Sequence, residues 1–100
     1  MSYELRLPPD TQAEITDYLR ARTASLEEQA EATEAILAEL RKLEVNPRLG
    51  APHFGGPFES RRIHRFRIDL QGVTRDLQVV YKVHEADRIV VVSGFSPVQL

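Results

Sequence analysis

Residues 61–68 read Arg61-Arg62-Ile63-His64-Arg65-Phe66-Arg67-Ile68, and residues 75–83 read Arg75-Asp76-Leu77-Gln78-Val79-Val80-Tyr81-Lys82-Val83. The alternation in each run predicts a strand, and the short separation predicts that the two strands pair as a hairpin. Side chains two apart on a strand share a face, so Arg61, Arg65 and Arg67 should project from one side of the sheet. Phe66, Ile68 and Leu70 should project from the other. One face is therefore apolar, and the arginine-bearing face suits an anionic ligand.

The segments on either side of this hairpin complete an α+β pattern. We predict a strand at residues 3–7, a helix from a capping box at Thr11 to about residue 22, and a second helix from a capping box at Ser25 until Asn46-Pro47. The apolar stripe of the second helix is predicted as Leu26, Ala30, Thr33, Ile36, Leu37, Leu40 and Leu43. A Gly- and Pro-rich loop at 46–60 precedes strands at about 62–70, 75–84 and 88–95, with turns at Gln71-Gly72 and Glu85-Ala86. The order β-α-α-β-β-β predicts a helical hairpin packed on one face of a mostly antiparallel four-stranded sheet.

Length and composition limit the chain to one domain, residues 1–100, with 42% hydrophobic residues for a single core. Residues 1–44 carry five Lys and Arg against ten Asp and Glu, a balance of −5, whereas residues 45–100 carry eight against five, a balance of +3. The basic excess therefore coincides with the predicted arginine face. The whole-chain net charge of −2 argues against strong, non-specific affinity for nucleic acid.

Several classes of protein are excluded or disfavoured by what the sequence lacks. The chain has no cysteine, which excludes disulfides and thiolate metal sites and fits a reducing cytoplasm. The N-terminal residues lack an apolar run after a basic start, so we expect no signal peptide. No segment approaches the roughly 20 apolar residues of a membrane helix, so we expect no membrane association.

The element order and several short motifs resemble the RelE/ParE toxin superfamily. The helix end Leu43-Glu44-Val45-Asn46-Pro47 resembles the "L…NP" break of that family, and Arg65-Phe66-Arg67-Ile68 resembles its second strand. Residues 77–83, Leu-Gln-Val-Val-Tyr-Lys-Val, resemble its "YRVVYEV"-like third strand, and residues 88–94, Arg-Ile-Val-Val-Val-Ser-Gly, resemble its last strand. The resemblance spans nearly the whole chain and implies a sheet in the order 1-4-3-2, with the first strand beside the last.

This resemblance also implies a function in a bacterial type II toxin–antitoxin, or plasmid stabilisation, system. RelE-like members are metal-independent endoribonucleases that cleave mRNA in the ribosomal A site, whereas ParE-like members poison DNA gyrase without nuclease chemistry. Both kinds are neutralised by an antitoxin that wraps the toxin. The expected partners are therefore a cognate antitoxin and either the ribosome with its mRNA or gyrase, with no cofactor. A third interpretation is a non-toxic member that only binds an antitoxin-like partner.

The resemblance carries candidate roles to specific residues. RelE-like nucleases have basic residues at two alternate positions of the second strand, and Arg65 and Arg67 occupy the matching positions as catalytic candidates. Arginine stays charged and donates bidentately to phosphate, so it suits phosphate binding and charge stabilisation in RNA cleavage. The candidate RNA-binding residues beside them are Arg61, Arg75, Gln78 and Lys82. The alternative is a solvated strand face with ion pairs to Asp69 or Asp76.

Two positions depart from the nuclease members of the family. Gln78 stands where the third strand usually carries an arginine three residues before its tyrosine, and Arg75 would need a twist or bulge to replace that arginine. Nuclease members also place a basic residue or a His–Tyr pair just after the last strand, where this chain reads Ser96-Pro97-Val98-Gln99-Leu100. Both departures favour binding without bond-breaking chemistry.

The histidines and Tyr81 have competing interpretations. Strand alternation puts His64 on the apolar face, as a partly buried structural residue. His84 is expected to border the basic face and His53 lies in the long loop, and each is an open candidate for acid–base chemistry near neutral pH. Their spacing does not indicate a metal site. Tyr81 shares the parity of Leu77 and is predicted to be a core residue.

An apolar group near the loop and the C-terminus is the predicted partner-binding surface. Its members are Phe54, Phe58, Phe95 and Leu100, accompanied by Val98. An exposed patch of this kind suits an antitoxin segment that buries apolar surface. The alternatives are packing of the loop on itself and, for Phe95, a place in the core. Without an antitoxin, we expect the same patch to favour a homodimer.

Overall fold

A computed structural model describes residues 2–52 and 61–98. The elements are β1 (Glu4–Arg6), α1 (Pro9–Arg20), α2 (Leu26–Val45), β2 (Ala51–Pro52), β3 (Arg61–Leu70), β4 (Val73–His84) and β5 (Ile89–Pro97). The sheet has the order β1-β5-β4-β3-β2, in which β1 pairs parallel with β5 and the other neighbours are antiparallel. The predicted α+β class and the first strand beside the last are confirmed. Within the described ranges, no helix is long and apolar enough to cross a membrane.

The sheet has five strands, so the predicted count of four is wrong by one. The additional strand β2 lies in the segment predicted as a loop and pairs Ala51 with Ile63 and Pro52 with Arg62. A proline has no N–H to donate to a neighbouring strand, so within sheets it is confined mainly to edge strands. Strand β2 is an edge strand. Two residues show no periodicity, which is why the local pattern did not indicate this strand.

The two helices begin differently from each other. Helix α1 begins at Pro9, where proline is favoured because the first N–H of a helix lacks an intrahelical partner. The capping box predicted at Thr11 is wrong, because Thr11 is buried within α1 and its Oγ1 donates to the Val92 carbonyl at 2.8 Å. The cap at Ser25 is confirmed, since its Oγ accepts from the Glu28 N–H at 3.1 Å.

Helix α2 packs on the sheet along a shorter stripe than predicted. Its buried residues are Ala32, Ile36, Leu40 and Leu43. Leu26 is 84% exposed and Ala30 is also exposed, so these two members of the predicted stripe are wrong. The stripe from residue 32 onward has the spacing of four, four and three residues that keeps side chains on one helical face, and the first turn of α2 lies outside the core.

Both helices pack on one face of the sheet, and the predicted strand alternation is confirmed. Phe66, Ile68 and Leu70 are buried in the core, together with Leu77, Val79, Tyr81, Val90, Val92 and Phe95 of the neighbouring strands. Arg65 and Arg67 are exposed on the opposite side. This opposite side, which carries Arg61, Arg65 and Arg67 on β3 and their cross-strand neighbours, is called the open face below.

The turn between β3 and β4 has two residues with positive φ. Leu70 pairs with Val73, and φ is 50° at Gln71 and 77° at Gly72, which is the pattern of a type I′ hairpin turn. Glycine adopts this conformation without strain, whereas a glutamine side chain makes it costly.

We expect Gln71→Asn to stabilise the protein by about 0.5 kcal/mol, because asparagine tolerates positive φ better than glutamine. The melting temperature should rise by about 2–4 °C. Gly72→Ala is the matched comparison, since a Cβ there meets no atom within 4 Å and tests backbone strain alone. It should destabilise the protein by about 1 kcal/mol. Equal melting temperatures for both variants and the parent chain would contradict this explanation of the turn.

Tyr3 joins the beginning of the chain to the turn between β4 and β5. Its hydroxyl donates to the Glu85 carboxylate at 2.6 Å, and Arg48 lies 3.5 Å from the other Glu85 oxygen. The hydrogen bond from Tyr3 lowers the pKa of Glu85 below its ordinary value of 4.5. The same bond raises the pKa of Tyr3 above 10.0. The carboxylate form of Glu85 is therefore favoured by folding.

Because the pKa of Glu85 is lower in the folded protein, this contribution to stability is present above about pH 4.5 and is lost as the pH falls through the folded-state pKa. We expect Tyr3→Phe to flatten the loss of stability on the acid side. Urea unfolding midpoints measured between about pH 3 and pH 7 check this. Tyr18→Phe, which retains the ring, is the control and should keep the parent profile. An unchanged acid slope in Tyr3→Phe would rule the explanation out.

Candidate functional site

The open face is organised in rows, because residues directly opposite each other on antiparallel strands project to the same side. The cross-strand pairs of β3 and β4 on this face are Arg61 with Lys82, Ile63 with Val80, Arg65 with Gln78, Arg67 with Asp76 and Asp69 with Thr74. Strand β5 extends three of the rows, placing Val91 beside Lys82, Gly94 beside Val80 and Ser96 beside Gln78. Five predicted site residues therefore share one surface: Arg61, Arg65, Arg67, Gln78 and Lys82.

Arg61 and Lys82 form the row nearest the beginning of β3. Both side chains are exposed, and the two residues are directly opposite each other. Two cations at neighbouring positions raise the local positive potential, which attracts an anion. His84 is exposed at the end of β4 with the parity of Lys82, so it borders this row as predicted.

Arg65, Gln78 and Ser96 form the next row. The Gln78 Nε2 donates to the Ser96 Oγ at 3.3 Å, so the amide is directed along the row rather than towards solvent. Within residues 2–52 and 61–98, the side chain of Arg65 forms no hydrogen bond or ion pair. Its five N–H donors are therefore available to a ligand. Gln78 contributes a neutral donor and acceptor beside it and no charge.

Arg67 and Asp76 form the third row, and they are paired with each other. The Arg67 Nε lies 2.7 Å from the Asp76 Oδ1, and the two side chains are 75% and 44% exposed. The predicted alternative for this strand, an ion pair to Asp76, is therefore present at Arg67. A shallow depression of about 260 Å³ is lined by Arg65, Phe66, Arg67, Asp76 and Val98.

Arg75 lies apart from the open face. It pairs with Ile68 and has the parity of Leu77, which puts it on the helix side of β4, where it is half-buried. The pairing of β3 with β4 runs from residue 61 to residue 70 of β3 without a shift, and the irregularity of β4 lies at Val80/Tyr81 against β5. No bulge therefore brings Arg75 to the position of Gln78.

His64 is on the helix side, where sequence alternation predicted it, and is 8% exposed. Its ring stacks on Phe66 with centroids 5.6 Å apart, and its Nε2 lies 3.5 Å from the Glu39 carboxylate. It is thus separated from the arginines by the sheet. His53 lies outside the described residues.

Most of the predicted partner-binding residues fall outside the part of the chain that the structure describes. These are Phe54, Phe58 and Leu100. Phe95 is 5% exposed and packs edge-on against Tyr18, with centroids 5.5 Å apart, so it belongs to the core and not to an exposed patch. The described end of the chain, residues 96–98, carries Ser96, Pro97 and Val98, none of which titrates.

Tyr81 is confirmed as a core residue. Its hydroxyl holds the segment from Pro47 to Gly50, which leads into β2. The Tyr81 hydroxyl donates to the Pro47 carbonyl at 2.6 Å and accepts from the Gly50 N–H at 2.9 Å. Burial raises the pKa of Tyr81 above 10.0, so the hydroxyl keeps its proton. Arg62 Nη1 donates to the Gly50 carbonyl at 2.7 Å from β3. Sequence reasoning identified the burial of Tyr81 but missed this network.

The geometry supports binding of an anion more directly than catalysis. Guanidinium and ammonium groups bind phosphate and stabilise its charge. General acid–base catalysis needs a group that titrates near neutral pH within reach of the reacting oxygen. Of the described histidines, only His84 is on the open-face side, at its border. Sequence reasoning named Asp76 only as a partner in the alternative ion pair, and it missed Ser96, which lies beyond the predicted end of the last strand.

Comparison with known proteins finds similarity in structure alone, since no family model and no curated protein matches this sequence. A double arginine-to-alanine mutant of the Escherichia coli toxin RelE in the free state has a TM-score of 0.62 at 18% identity, covering 96% of this chain and 83% of that one. The RelBE2 toxin–antitoxin complex of Mycobacterium tuberculosis has 0.58 at 13% identity, covering 98% of this chain and 100% of the other.

The intact RelBE toxin–antitoxin complex of Escherichia coli has a TM-score of 0.53 at 15% identity, covering 99% of this chain and 100% of that chain. These likenesses extend over almost the whole chain. The protein therefore has the RelE-type fold, and the predicted resemblance to the RelE/ParE superfamily is confirmed at the level of the fold.

Proposed function

We propose that this protein is the toxin of a type II toxin–antitoxin pair and that its open face binds ribosome-associated mRNA. The single observation that carries the proposal is Arg65, exposed on the side of a RelE-type sheet away from the helices and without a described partner. A guanidinium is more weakly hydrated than an ammonium, and one without an ion-pair partner can donate to phosphate without first breaking a salt bridge. The similarity to a free toxin and to two toxin–antitoxin complexes supports this choice of function.

The residues of the open face have different proposed roles. Arg65 donates to a backbone phosphate, and Arg67 supplies a second guanidinium when its carboxylate partner is displaced. Arg61 and Lys82 extend the positive potential along the strand direction, which steers the approach of RNA. Gln78 offers hydrogen bonds and no charge. The proposed reaction, if bond cleavage occurs, uses no metal ion and stabilises the charge of the phosphorane through these cations.

The proposed partner is an antitoxin encoded beside this chain, and the proposed compartment is the cytoplasm. Two of the structural neighbours are complexes of a toxin with its antitoxin, which supports this assignment. The basic half of the sequence, with its balance of +3 at residues 45–100, suits an acidic partner segment. Phe54, Phe58 and Leu100 remain proposed contacts for such a segment.

A second candidate is a toxin that inhibits DNA gyrase without bond-breaking chemistry. The observation that favours it is the Arg65–Gln78–Ser96 row, in which the neighbours of Arg65 are neutral and neither one titrates. A binding function needs cations and shape only, whereas cleavage needs proton transfer. The two candidates therefore differ in what they require of this one face.

Induced expression distinguishes the candidates. Primer extension on a reporter mRNA should show cleavage within codons of translated RNA if the protein is a ribosome-dependent nuclease. A supercoiling assay with purified gyrase should show inhibition if it is a gyrase poison. Co-expression of the adjacent small gene should restore growth in either case. Normal growth on expression without the antitoxin, with both assays negative, would contradict the proposed toxin function.

A further inference from the structure

We propose that Asp76 is a specificity-determining residue of the open face: its carboxylate occupies the guanidinium of Arg67 and leaves Arg65 as the principal contact for an anion. This inference rests on the proposed function, because it concerns the same surface and the same RNA ligand. Asp76 is an acidic residue among arginines, and its negative charge would repel a phosphate bound beside it.

The Asp76 carboxylate lies in the depression beside Arg65 and Arg67, where a phosphate is proposed to bind. Arg67 and Asp76 are directly opposite residues on β3 and β4, and their Nε–Oδ1 distance of 2.7 Å is that of a charge-assisted hydrogen bond. The same depression is lined by Arg65, Arg67 and Asp76. A phosphate that enters it must either displace the carboxylate from Arg67 or bind beside a negative charge.

Solvent exposure makes this competition reversible. The side chains of Arg67 and Asp76 are 75% and 44% exposed, and exposed ion pairs contribute little to stability. Removal of the Asp76 charge should therefore change ligand binding without unfolding the protein. Asp76 acts as an internal competitor that weakens RNA binding and favours ligands able to displace it with more than one phosphate.

Asp69 provides a matched control on the next row of the same face. Its Oδ1 accepts a hydrogen bond from the Thr74 Oγ1 at 2.8 Å, and it faces no arginine across the strands. Asp69→Asn removes the same charge as Asp76→Asn but releases no guanidinium. A difference between the two variants therefore reports the competition at Arg67 and not the change in net charge.

The test is fluorescence anisotropy of a labelled single-stranded RNA oligonucleotide at a series of NaCl concentrations. We expect Asp76→Asn to bind about three- to tenfold more tightly. The negative slope of log affinity against log salt should become steeper by about 0.7, the value for one further phosphate contact to a single strand. Asp69→Asn should show less than half of this gain. In an Arg67→Ala background, Asp76→Asn should give no more than the Asp69→Asn effect. Thermal melting verifies that every variant is folded.

The outcomes separate this inference from the proposed function. If Arg65→Ala weakens binding while Asp76→Asn binds like the parent protein, the inference about Asp76 is overturned and RNA binding by the face is retained. An equal gain from both asparagine variants, or a gain that persists without Arg67, also overturns it. If no variant binds RNA, including Asp76→Asn, both the inference and RNA binding by the open face fail.

Discussion

Gly50→Ala is expected to destabilise the protein by about 2–3 kcal/mol, because the added methyl group would overlap a neighbouring strand. A Cβ at this position would lie 2.5 Å from the Ile63 carbonyl oxygen and 2.8 Å from the Tyr81 hydroxyl. The first contact is to backbone, so β2 and β3 must separate to relieve it. That separation also weakens the bond from the Gly50 N–H to Tyr81. The melting temperature should fall by about 10–20 °C.

Gly94→Ala is the control for this expectation, because its added Cβ would meet Val80 at an ordinary 3.9 Å. We expect its stability to remain within about 0.5 kcal/mol of the parent protein. Tyr81→Phe should cost about 1–3 kcal/mol, since the Pro47 carbonyl and the Gly50 N–H lose their buried partner. Melting temperatures of Gly50→Ala and Gly94→Ala that agree within error would contradict the close approach of β2 to β3.

Arg65→Ala is expected to lower the affinity for single-stranded RNA by about ten- to a hundredfold. A charge-assisted hydrogen bond to phosphate contributes roughly 1.5–3 kcal/mol, and each 1.4 kcal/mol corresponds to a factor of about ten. The slope of log affinity against log salt should become shallower by about 0.7. On expression, the same variant should relieve growth arrest. Arg67→Ala should have a smaller effect, because Asp76 already holds that guanidinium.

Arg41→Ala is the matched control for Arg65→Ala. Arg41 is an exposed arginine of α2, on the helix side of the protein, and its Nη1 lies 3.8 Å from the Glu34 carboxylate. Its removal changes the net charge by the same amount, so it should leave RNA affinity within about twofold of the parent value. Equal losses in Arg41→Ala and Arg65→Ala would show that RNA binds through net charge and not through the open face.

Periodic features of the sequence were sufficient for most of the fold. Alternation on β3 assigned Phe66 and Ile68 to the core and Arg65 to the surface, since a strand offers each side chain one of two faces. Prediction failed where the place of a residue depends on packing between distant parts of the chain. The Thr11 hydroxyl serves the Val92 carbonyl rather than the start of α1, and Leu26 lies in a turn of α2 that extends beyond the core.

The candidate site was predicted as a set of charges, and the sequence left open whether Asp69 or Asp76 pairs with an arginine. Strand parity identified Arg61, Arg65 and Arg67 as members of one face, and the short turn at Gln71-Gly72 limited their partners on β4. The partner of each arginine depends on the register of the hairpin and on side-chain placement. These make Arg67 an ion-paired residue and leave Arg65 without a described partner. Arg75 was a candidate RNA-binding residue that needed a twist or bulge to replace an arginine at Gln78, whereas the continuous register puts it on the helix side.

The sequence by itself determined the α+β class, the hairpin of arginines and the burial of Tyr81, because each follows from a local period of two or 3.6 residues. Tertiary structure alone decided the fifth strand, the role of Gly50 and the occupation of Arg67 by Asp76. The Gly50 N–H and the Tyr81 hydroxyl are 31 residues apart in sequence yet 2.9 Å apart in space. Hydrogen bonds and close contacts act over a few ångströms, so which distant residues meet is set by the packed chain and not by any local pattern.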